Sequence, residues 1–578
     1  MKLAEALNIS RRNPPDGKEF KVFLGCGFQP LHLETFLKAH LCLLFPQRKV
    51  QISTGLYGNL AGNLKRFEKD SFDAGTVFLE WGDLDIRLGM RALGGWTSEV
   101  LPDIVKGARA QSQRVSRILK RLAKKIPLAL SLPSIPIAPV SHFPPHLSGS
   151  FESSLGTIIS DFEEEIIKIP GVRMVNAAEI DFHFNTAERL DLKSEINTGF
   201  PYQLPYASFL AELVALLVKS PPPKKGLVTD LDDTLWRGIL GEAGIQGITW
   251  DLDHHTHIHA LYQQMLCSLA KTGVLIGVAS KNNPDLVEEA FKREDILLPR
   301  NLVFPLEAGW GLKSDSIGRI LKAWNINPES IVFIDDSPME LAEVKRVYPD
   351  IECLRFPVQN ENEFFHLLRK LRAHFGKESI QQEDILRLES LKRSRHEKDG
   401  DTESVPHDDS FLKEAHATLS YSFQNDLKDT RAFELVNKTN QFNLNGERYT
   451  EGEWQAALTK ENHFLFTASY EDKYGPLGEI AVIVGCVEQD KVCMQTWVMS
   501  CRAFSRRIEH LCLKLLFEHF DAREIEFAFK ATDRNEPLRE FFEPFLGNKP
   551  GEKFSLTHKR IIEICPPVYI SPRSIDDE

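Results

Sequence analysis

The sequence predicts an α/β protein of three domains, two built on parallel sheets and a third of α+β type. Three observations predict it. Short β-branched and aromatic runs alternate with helical patterns over 21–220 and again over 226–375, the arrangement that builds a parallel sheet. The run SPPPKK (220–225) separates the two series, because three prolines continue neither a helix nor a central strand. From 413 onward several β-rich runs surround one long helical stretch.

In the first domain (1–220), KVFLG (21–25) reads as a strand ending in Gly25-Cys26-Gly27, and TVFLEW (76–81) as another. Residues 147–169 have helical spacing, RMVNAAEIDF (173–182) returns to β character, and a helix follows near 206–219. In the second (221–375), GLVTD (226–230), VLIGVAS (274–280), LVF (302–304), IVFID (331–335) and IECLRF (351–356) read as short buried strands. Helices are expected near 257–272, 284–293, 313–324 and 338–347. Residues 376–412 are charged and nearly free of large apolar residues, so they read as a solvated linker. The last domain (413–578) has expected strands at 463–470, 478–487, 491–499 and 524–529, and a helix at 506–519.

Composition narrows the function classes. A chain of 578 residues with 70 Lys+Arg against 82 Asp+Glu has a formal net charge of −12, which argues against a generic nucleic-acid binder. Nine cysteines with no CxxC do not make a disulfide framework. The N-terminal residues lack the apolar core of an export signal, and the best apolar run, Phe209 to Val218, includes Glu212 and is far short of a membrane span. A cytoplasmic, soluble protein without a membrane partner is expected.

The strongest chemistry lies in GLVTDLDDTLW (226–236). A buried strand ends at Asp230, with Asp232 two residues on and Thr234 four on, at the sheet edge where α/β proteins bind ligands. One carboxylate so placed can attack phosphorus while the other protonates the leaving oxygen. Ser280 ends another strand and can donate to a phosphoryl oxygen, Lys313 opens a helix and can neutralise phosphate charge, and Asp335 and Asp336 end a further strand as hard oxygen ligands of the kind Mg²⁺ prefers. In the HHTHIH cluster (254–259), His255 and His259 are four apart and could share a metal; with no third ligand placed by sequence, a solvated helix entry is the plainer reading.

In order and separation these segments resemble the haloacid-dehalogenase (HAD) phosphotransferases. The resemblance implies Asp230 as nucleophile, Asp232 as general acid/base, and Thr234, Ser280 and Lys313 as phosphate holders. It implies Mg²⁺ on Asp230, Asp335 and the backbone carbonyl of Asp232, with Asp336 as an outer ligand. About 45 residues separate the first two motifs, so any cap is small.

Farther on, KTNQFNL (438–444), RYT (448–450) and MSCR (499–502) accompany a strand, basic loop and helix of the kind that cradles a pantetheine pyrophosphate in N-acetyltransferase-like (GNAT) folds. With DLDDTLWRGILGEAG (230–244), SKNN (280–283) and FIDDSPMEL (333–341), these segments resemble the FkbH-like family of polyketide biosynthesis, a HAD-type domain fused to a GNAT-like one. That resemblance covers about 226–578. It implies removal of phosphate from 1,3-bisphosphoglycerate and delivery of the glyceryl unit as a thioester to the phosphopantetheine arm of an acyl carrier protein.

The loop after MSCR departs from the acetyltransferase R-x-x-G-x-G pattern, with Ser505 and Arg507 where the glycines would stand. Arg502, Arg506 and Arg507 instead concentrate charge that suits a single phosphate, or form a solvated helix turn. Because carrier proteins of this class are acidic, docking on a chain of net charge −12 depends on this local basic surface. Cys501 can hold the acyl group or be a structural thiol, and Cys26 is its rival. The first domain looks like a degenerate SGNH-hydrolase layer, with Cys26 where a serine would stand and no convincing late Asp-x-x-His; a structural, gating or docking role is expected of it.

Overall fold

A computed structural model of the chain describes residues 1–578 other than 15–16, 92–96, 145, 379, 381–412, 414, 428, 440–441, 474, 501–502, 504–505, 533–534 and 577–578. The chain divides into two units, Met1–Pro221 with Arg448–Glu461, and Pro222–Glu447 with Asn462–Glu578. Nearly all of the expected linker over 376–412 lies outside the described residues. Among the described residues, no helix is long and apolar enough to cross a membrane.

The first unit holds five parallel strands, β1 (Lys18–Gly25), β2 (Arg48–Thr54), β3 (Ala74–Phe78), β4 (Leu128–Ser131) and β5 (Val172–Met174), in the order β2-β1-β3-β4-β5. Both faces of this sheet are buried, which is why its strands read as nearly continuous apolar runs. Phe20, Val22 and Leu24 of β1 pack with helices Leu31–Leu44 and Leu204–Val218, while Phe23 faces helices Leu60–Phe67 and Leu101–Leu122. The strand expected over 173–182 is cut short. Asn176 caps a helix, Ala177–His183, by accepting from the Ala178 amide, so the apolar residues there follow a helical period. Likewise β3 ends at Phe78 and Trp81 opens a one-turn helix.

The second unit contains two sheets. One has five parallel strands, β6 (Gly226–Thr229), β7 (Leu275–Ser280), β8 (Val303–Ala308), β9 (Ile331–Asp335) and β10 (Glu352–Arg355), in the order β10-β9-β6-β7-β8. Alternation sorts the side chains: Leu227, Ile276, Val278, Val332 and Ile334 face one core, and Val228, Leu275, Ala279, Ile331 and Phe333 the other. Between β6 and β7 the chain makes a small excursion with a bridge between Arg237 and Thr249, then returns through helix His257–Lys271.

The other sheet is mixed. It comprises β11 (Ala417–Ser422), β12 (Phe442–Asn443), β13 (His463–Asp472), β14 (Gly475–Glu488), β15 (Lys491–Met499), β16 (Glu524–Phe527), β17 (Phe554–Thr557) and β18 (Ile570–Ser574). The path is β17-β16-β15-β14-β13-β11-β18, with β12 on β15. Only β15/β16 and β11/β18 are parallel pairs, and helix Ile508–Phe520 provides the crossover between β15 and β16.

One segment of the first unit comes from far along the chain. Helix Glu451–Leu458 is capped by Thr450 and Glu453, and Glu453 also takes both Arg48 guanidinium nitrogens at 2.8 Å and an ion pair from Lys18. Glu451 pairs with Arg173, and a side chain at Gly452 would meet the Asp73 carbonyl at 2.9 Å, so the helix end lies close on the sheet edge. Burial opposes ionisation of Glu453, but the hydrogen bonds from Arg48 and Lys18 outweigh it and hold its pKa at about 2, below the ordinary 4.5. A depressed carboxylate stabilises the fold above its unfolded value and loses that contribution as pH falls through the folded one. Amide exchange in 451–458 should therefore rise as pH drops from about 4.5 toward 2, after correction for intrinsic rates. At neutral pH Glu453→Gln should lower the local opening free energy by about 1–3 kcal/mol; unchanged exchange would show that the pairing contributes nothing.

Candidate active site

The carboxyl ends of β6, β7 and β9, with the helix that follows β8, bring the expected residues together. Asp230 follows β6 directly, and its amide donates to the Ile334 carbonyl at 2.9 Å, fixing it against β9. Asp335 ends β9 and is completely buried. Lys313 opens helix Lys313–Trp324 and is 3% exposed; its Nζ lies 2.8 Å from Asp230 Oδ2 and 2.5 Å from Asp335 Oδ2. Burial works against the Lys313 charge, yet Asp230 and Asp335 more than offset it and raise its pKa. Asp335 is pushed up by burial and by the Asp230 charge, with Lys313 opposing. The Ser337 amide donates to Asp335 Oδ1 at 2.8 Å and holds that carboxylate in place.

Two polar atoms in this centre have no protein partner. Asp230 Oδ1 and Thr234 Oγ1 are both buried and make no hydrogen bond. Leaving such groups unpaired costs about 1–3 kcal/mol each, and two side by side at a strand end offer a ligand an unfilled acceptor and donor. Asp230, Asp335 and Asp336 also place carboxylate oxygens within 4.8 Å of one another. An all-oxygen donor set of this kind fits a hard divalent cation. Asp336 is pushed up by burial and by its acidic neighbours Asp230 and Asp233.

Asp232 does not join that group through its side chain. Its Oδ1 accepts from Trp236 Nε1 at 2.9 Å and from the Leu240 amide at 3.2 Å, and its Oδ2 from Asn282 Nδ2 at 3.0 Å. Its carboxylate therefore stands outside the group formed by Asp230, Asp335 and Asp336. Burial raises the Asp232 pKa against those hydrogen bonds, which favours the protonated form a general acid needs. Asn282 also donates to Ser280 Oγ at 3.2 Å, so one amide orients two site residues.

The histidine cluster is a solvated helix entry at His254 and His255, as expected, but His259 departs from that role. His255 lies outside the helix, exposed and at φ +56°, so it shares no helical face with His259. His259 is completely buried and its Nδ1 donates to the Thr234 carbonyl at 2.9 Å. Burial lowers its pKa to about 4, so the ring is neutral and the proton sits on Nδ1. From the same helix face Tyr262 donates to Thr229 Oγ1 at 3.0 Å, and Gln263 Nε2 to the Leu235 carbonyl at 2.9 Å. These three residues carry the motif loop from behind. They lie at i, i+3 and i+4 on one helix face, but His257, Gln264, Ser268 and Lys271 make the helix polar elsewhere too, so no sequence signal singled these three out.

Of the expected thiol and arginine site, only Arg506 and Arg507 fall among the described residues. Cys501 and Arg502 lie outside the described residues. Arg506 approaches Asp472 at 3.7 Å and lies 5.5 Å over the Tyr470 ring, so its charge is paired, while Arg507 Nη1 donates to the Pro567 carbonyl at 2.8 Å, a contact that leaves its charge in place. Cys26 is 4% exposed, donates to the Phe28 carbonyl and is raised well above the usual thiol range by burial, so it is not an activated nucleophile. The amide run ending in Phe442-Asn443 has a structural use. β15 and β16 pair only as far as Met494 and Phe527, and β12 continues the pairing at Val498 and Met499. Asn445 Nδ2 donates to the Gln495 carbonyl at 2.9 Å and Asn535 Nδ2 to the Asn443 carbonyl at 3.0 Å, fastening this wedge on both sides.

No family model and no curated protein matches the chain. Among solved structures, it is similar to the N-terminal part of a Bacteroides fragilis protein containing a phosphatase domain, complexed with Mg, at 19% identity and a TM-score of 0.51 over 66% of this chain and 100% of that one. An uncharacterized Corynebacterium glutamicum protein aligns over 27% of this chain and 98% of its own at 13% identity, but its TM-score of 0.19 carries no argument. The first likeness is one of fold: a mixed α/β chain with parallel-sheet domains.

Proposed function

We propose that this chain is a Mg²⁺-dependent HAD-type phosphatase or phosphotransferase. The observation that carries the reading is the unpaired, buried Asp230 Oδ1 beside the unpaired Thr234 Oγ1, with Lys313 fixed between Asp230 and Asp335. Asp230, Asp335, Asp336 and the Asp232 carbonyl would hold the cation. Bound there, Mg²⁺ would offset the repulsion between the attacking carboxylate and the phosphate. The structural neighbour from Bacteroides fragilis was solved complexed with Mg, which supports Mg²⁺ as the cation.

In this reading Asp230 Oδ1 attacks phosphorus, and the bond from phosphorus to the leaving oxygen breaks. Protonated Asp232 gives its proton to that oxygen, while Thr234 Oγ1 and Ser280 Oγ donate to the phosphoryl oxygens and Lys313 balances their charge. Asp232, now ionised, takes a proton from water, whose oxygen attacks the aspartyl-phosphate and frees Asp230. Trp236 and Asn282 hold the Asp232 carboxyl in position through both half-reactions.

The resemblance to FkbH-like proteins takes the proposal further: 1,3-bisphosphoglycerate as donor and an acyl carrier protein as acceptor of the glyceryl unit, with Cys501 as the intermediate thiol. The helix crossover between β15 and β16 supports this version. A plain phosphomonoesterase is the second reading, and the pairing of Arg506 with Asp472 favours it.

The decisive experiment incubates the chain with Mg²⁺, 1,3-bisphosphoglycerate and a holo-carrier, following phosphate release and the carrier's mass. A glyceryl mass increment supports transfer, whereas phosphate release independent of the carrier supports the second reading. Asp230→Asn should lower phosphate release by about 10³-fold or more with either substrate class; normal release by that variant would refute the nucleophile. His259→Phe keeps the packing on Phe356 and deletes the donor to Thr234. Its kcat should fall about 10–100-fold, as expected for a displaced loop, with the thermal midpoint lowered by a few degrees for the carbonyl left unpaired. An unchanged kcat would show that the loop holds itself.

A further inference from the structure

The mixed sheet carries a second group of ligand atoms that phosphoryl transfer does not use. β14 and β15 are joined by the turn Gln489-Asp490, and Cys486 and Cys493 are direct cross-strand partners near it. Side chains alternate along a strand, so Glu488 emerges on the same face as Cys486. The two sulfurs and a Glu488 carboxylate oxygen all lie within 4.8 Å of one another. The row extends in register to both sides: His463 of β13 stands opposite Cys486, and Glu526 of β16 opposite Cys493. Val492 and Met494 fill the other face with the domain core, so the sulfurs lie on the side that keeps Glu488 in solvent.

We propose that Cys486, Cys493 and Glu488 bind one zinc ion; His463, opposite Cys486 in register but with its ring outside this group, turns in to supply the fourth donor. Two thiolates make a soft donor pair, which selects zinc over the magnesium that suits the all-oxygen centre of the parallel sheet. With Zn–S bonds of about 2.3 Å, tetrahedral geometry needs sulfurs about 3.8 Å apart, so side-chain rotation on a fixed sheet closes the site. Each thiol releases its proton to water as it coordinates. The neighbours suit this arrangement. Gln495 Nε2 approaches Cys486 Sγ at 3.6 Å, a donor contact that a thiolate ligand keeps. Lys491, opposite Glu488 in register, turns its ammonium to Glu526 Oε2 at 2.5 Å, which directs it away from the Glu488 carboxylate. The ion would tie the β14–β15 hairpin to β13, at the end of β15 opposite the wedge.

The test uses the reduced, metal-free full chain, titrated with Zn²⁺ against a chromophoric chelator and weighed by native mass spectrometry. One zinc per chain is expected. Cys493→Ser should abolish it, and Glu488→Gln should weaken it about tenfold or more. Co²⁺ in place of Zn²⁺ should give a sulfur-to-metal charge-transfer band that Cys493→Ser removes. Asp335→Asn should leave zinc binding intact, which separates this site from the carboxylate centre, and Cys493→Ser should release phosphate at the unchanged rate. The proposal is overturned if no zinc is retained, if Cys493→Ser retains it, or if Asp335→Asn loses it. A Cys486–Cys493 disulfide that persists while no zinc competes with it overturns it as well.

Discussion

One buried ammonium organises the parallel-sheet centre. Lys313 touches both Asp230 and Asp335, and Asp336 stands within the same group, so three carboxylates face one cation in a place nearly closed to water. Charges about 4 Å apart interact by about 4 kcal/mol at an effective dielectric of 20. Removing Lys313 would leave uncompensated acids, while Lys313 alone leaves an excess of negative charge. That imbalance has structural consequences: Asp335 and Asp336 are drawn toward protonation, and a divalent cation is the group that relieves both at once. The strand ends are therefore arranged around a charge deficit rather than around packing.

The supports of this centre differ in how readable they are. Asp230, Ser280, Lys313 and Asp335 follow short runs of Leu, Val and Ile that can only be buried strands or sit at the start of an amphipathic helix, so their convergence at one sheet edge could be inferred from spacing alone. His259, Tyr262 and Gln263 could not, because a histidine beside other histidines resembles a solvated helix entry until the Thr234 carbonyl that it serves is located. Residues 173–182 misled for a related reason. An apolar run of that length suits strand and helix equally, and a single capping side chain, Asn176, decided for the helix. The partnership of Glu453 with Arg48 and Lys18 joins residues some four hundred positions apart, a pairing that no local pattern encodes.

The amide-rich segment of the last domain shows how a sequence can signal function and deliver architecture. Asn443, Asn445 and Asn535 are wholly or partly buried, and a buried amide must satisfy several hydrogen bonds. Here they satisfy them on backbone carbonyls and amides where β15 and β16 part, so that β12 and its turn close the opening. A parallel pair inside an otherwise antiparallel sheet needs a crossover helix, and its diverging ends expose backbone groups that something must cover. In this chain the cover is internal.

The two parallel sheets make the same point from opposite sides. Both place acids at strand ends, and both bury them. In the first unit Glu80 Oε1 accepts from Ser134 Oγ at 2.7 Å and Tyr202 OH at 2.9 Å, and Oε2 from the Ser134 and Ile135 amides; burial still lifts its pKa to about 7. Cys26, at the neighbouring strand end, is likewise hydrogen-bonded and closed off. Such a carboxylate has spent its acceptor capacity on the fold and cannot take a substrate without breaking it. Asp230 has one oxygen on Lys313 and the other on nothing, with the Thr234 hydroxyl equally unsatisfied beside it. Burial, charge and position at a strand end are common to both sheets, so none of these distinguishes a catalytic acid from a structural one. Unfilled hydrogen-bonding capacity beside a charged cluster sets Asp230 apart from Glu80, and on it rests the proposal that the chemistry lies at the carboxyl end of β6.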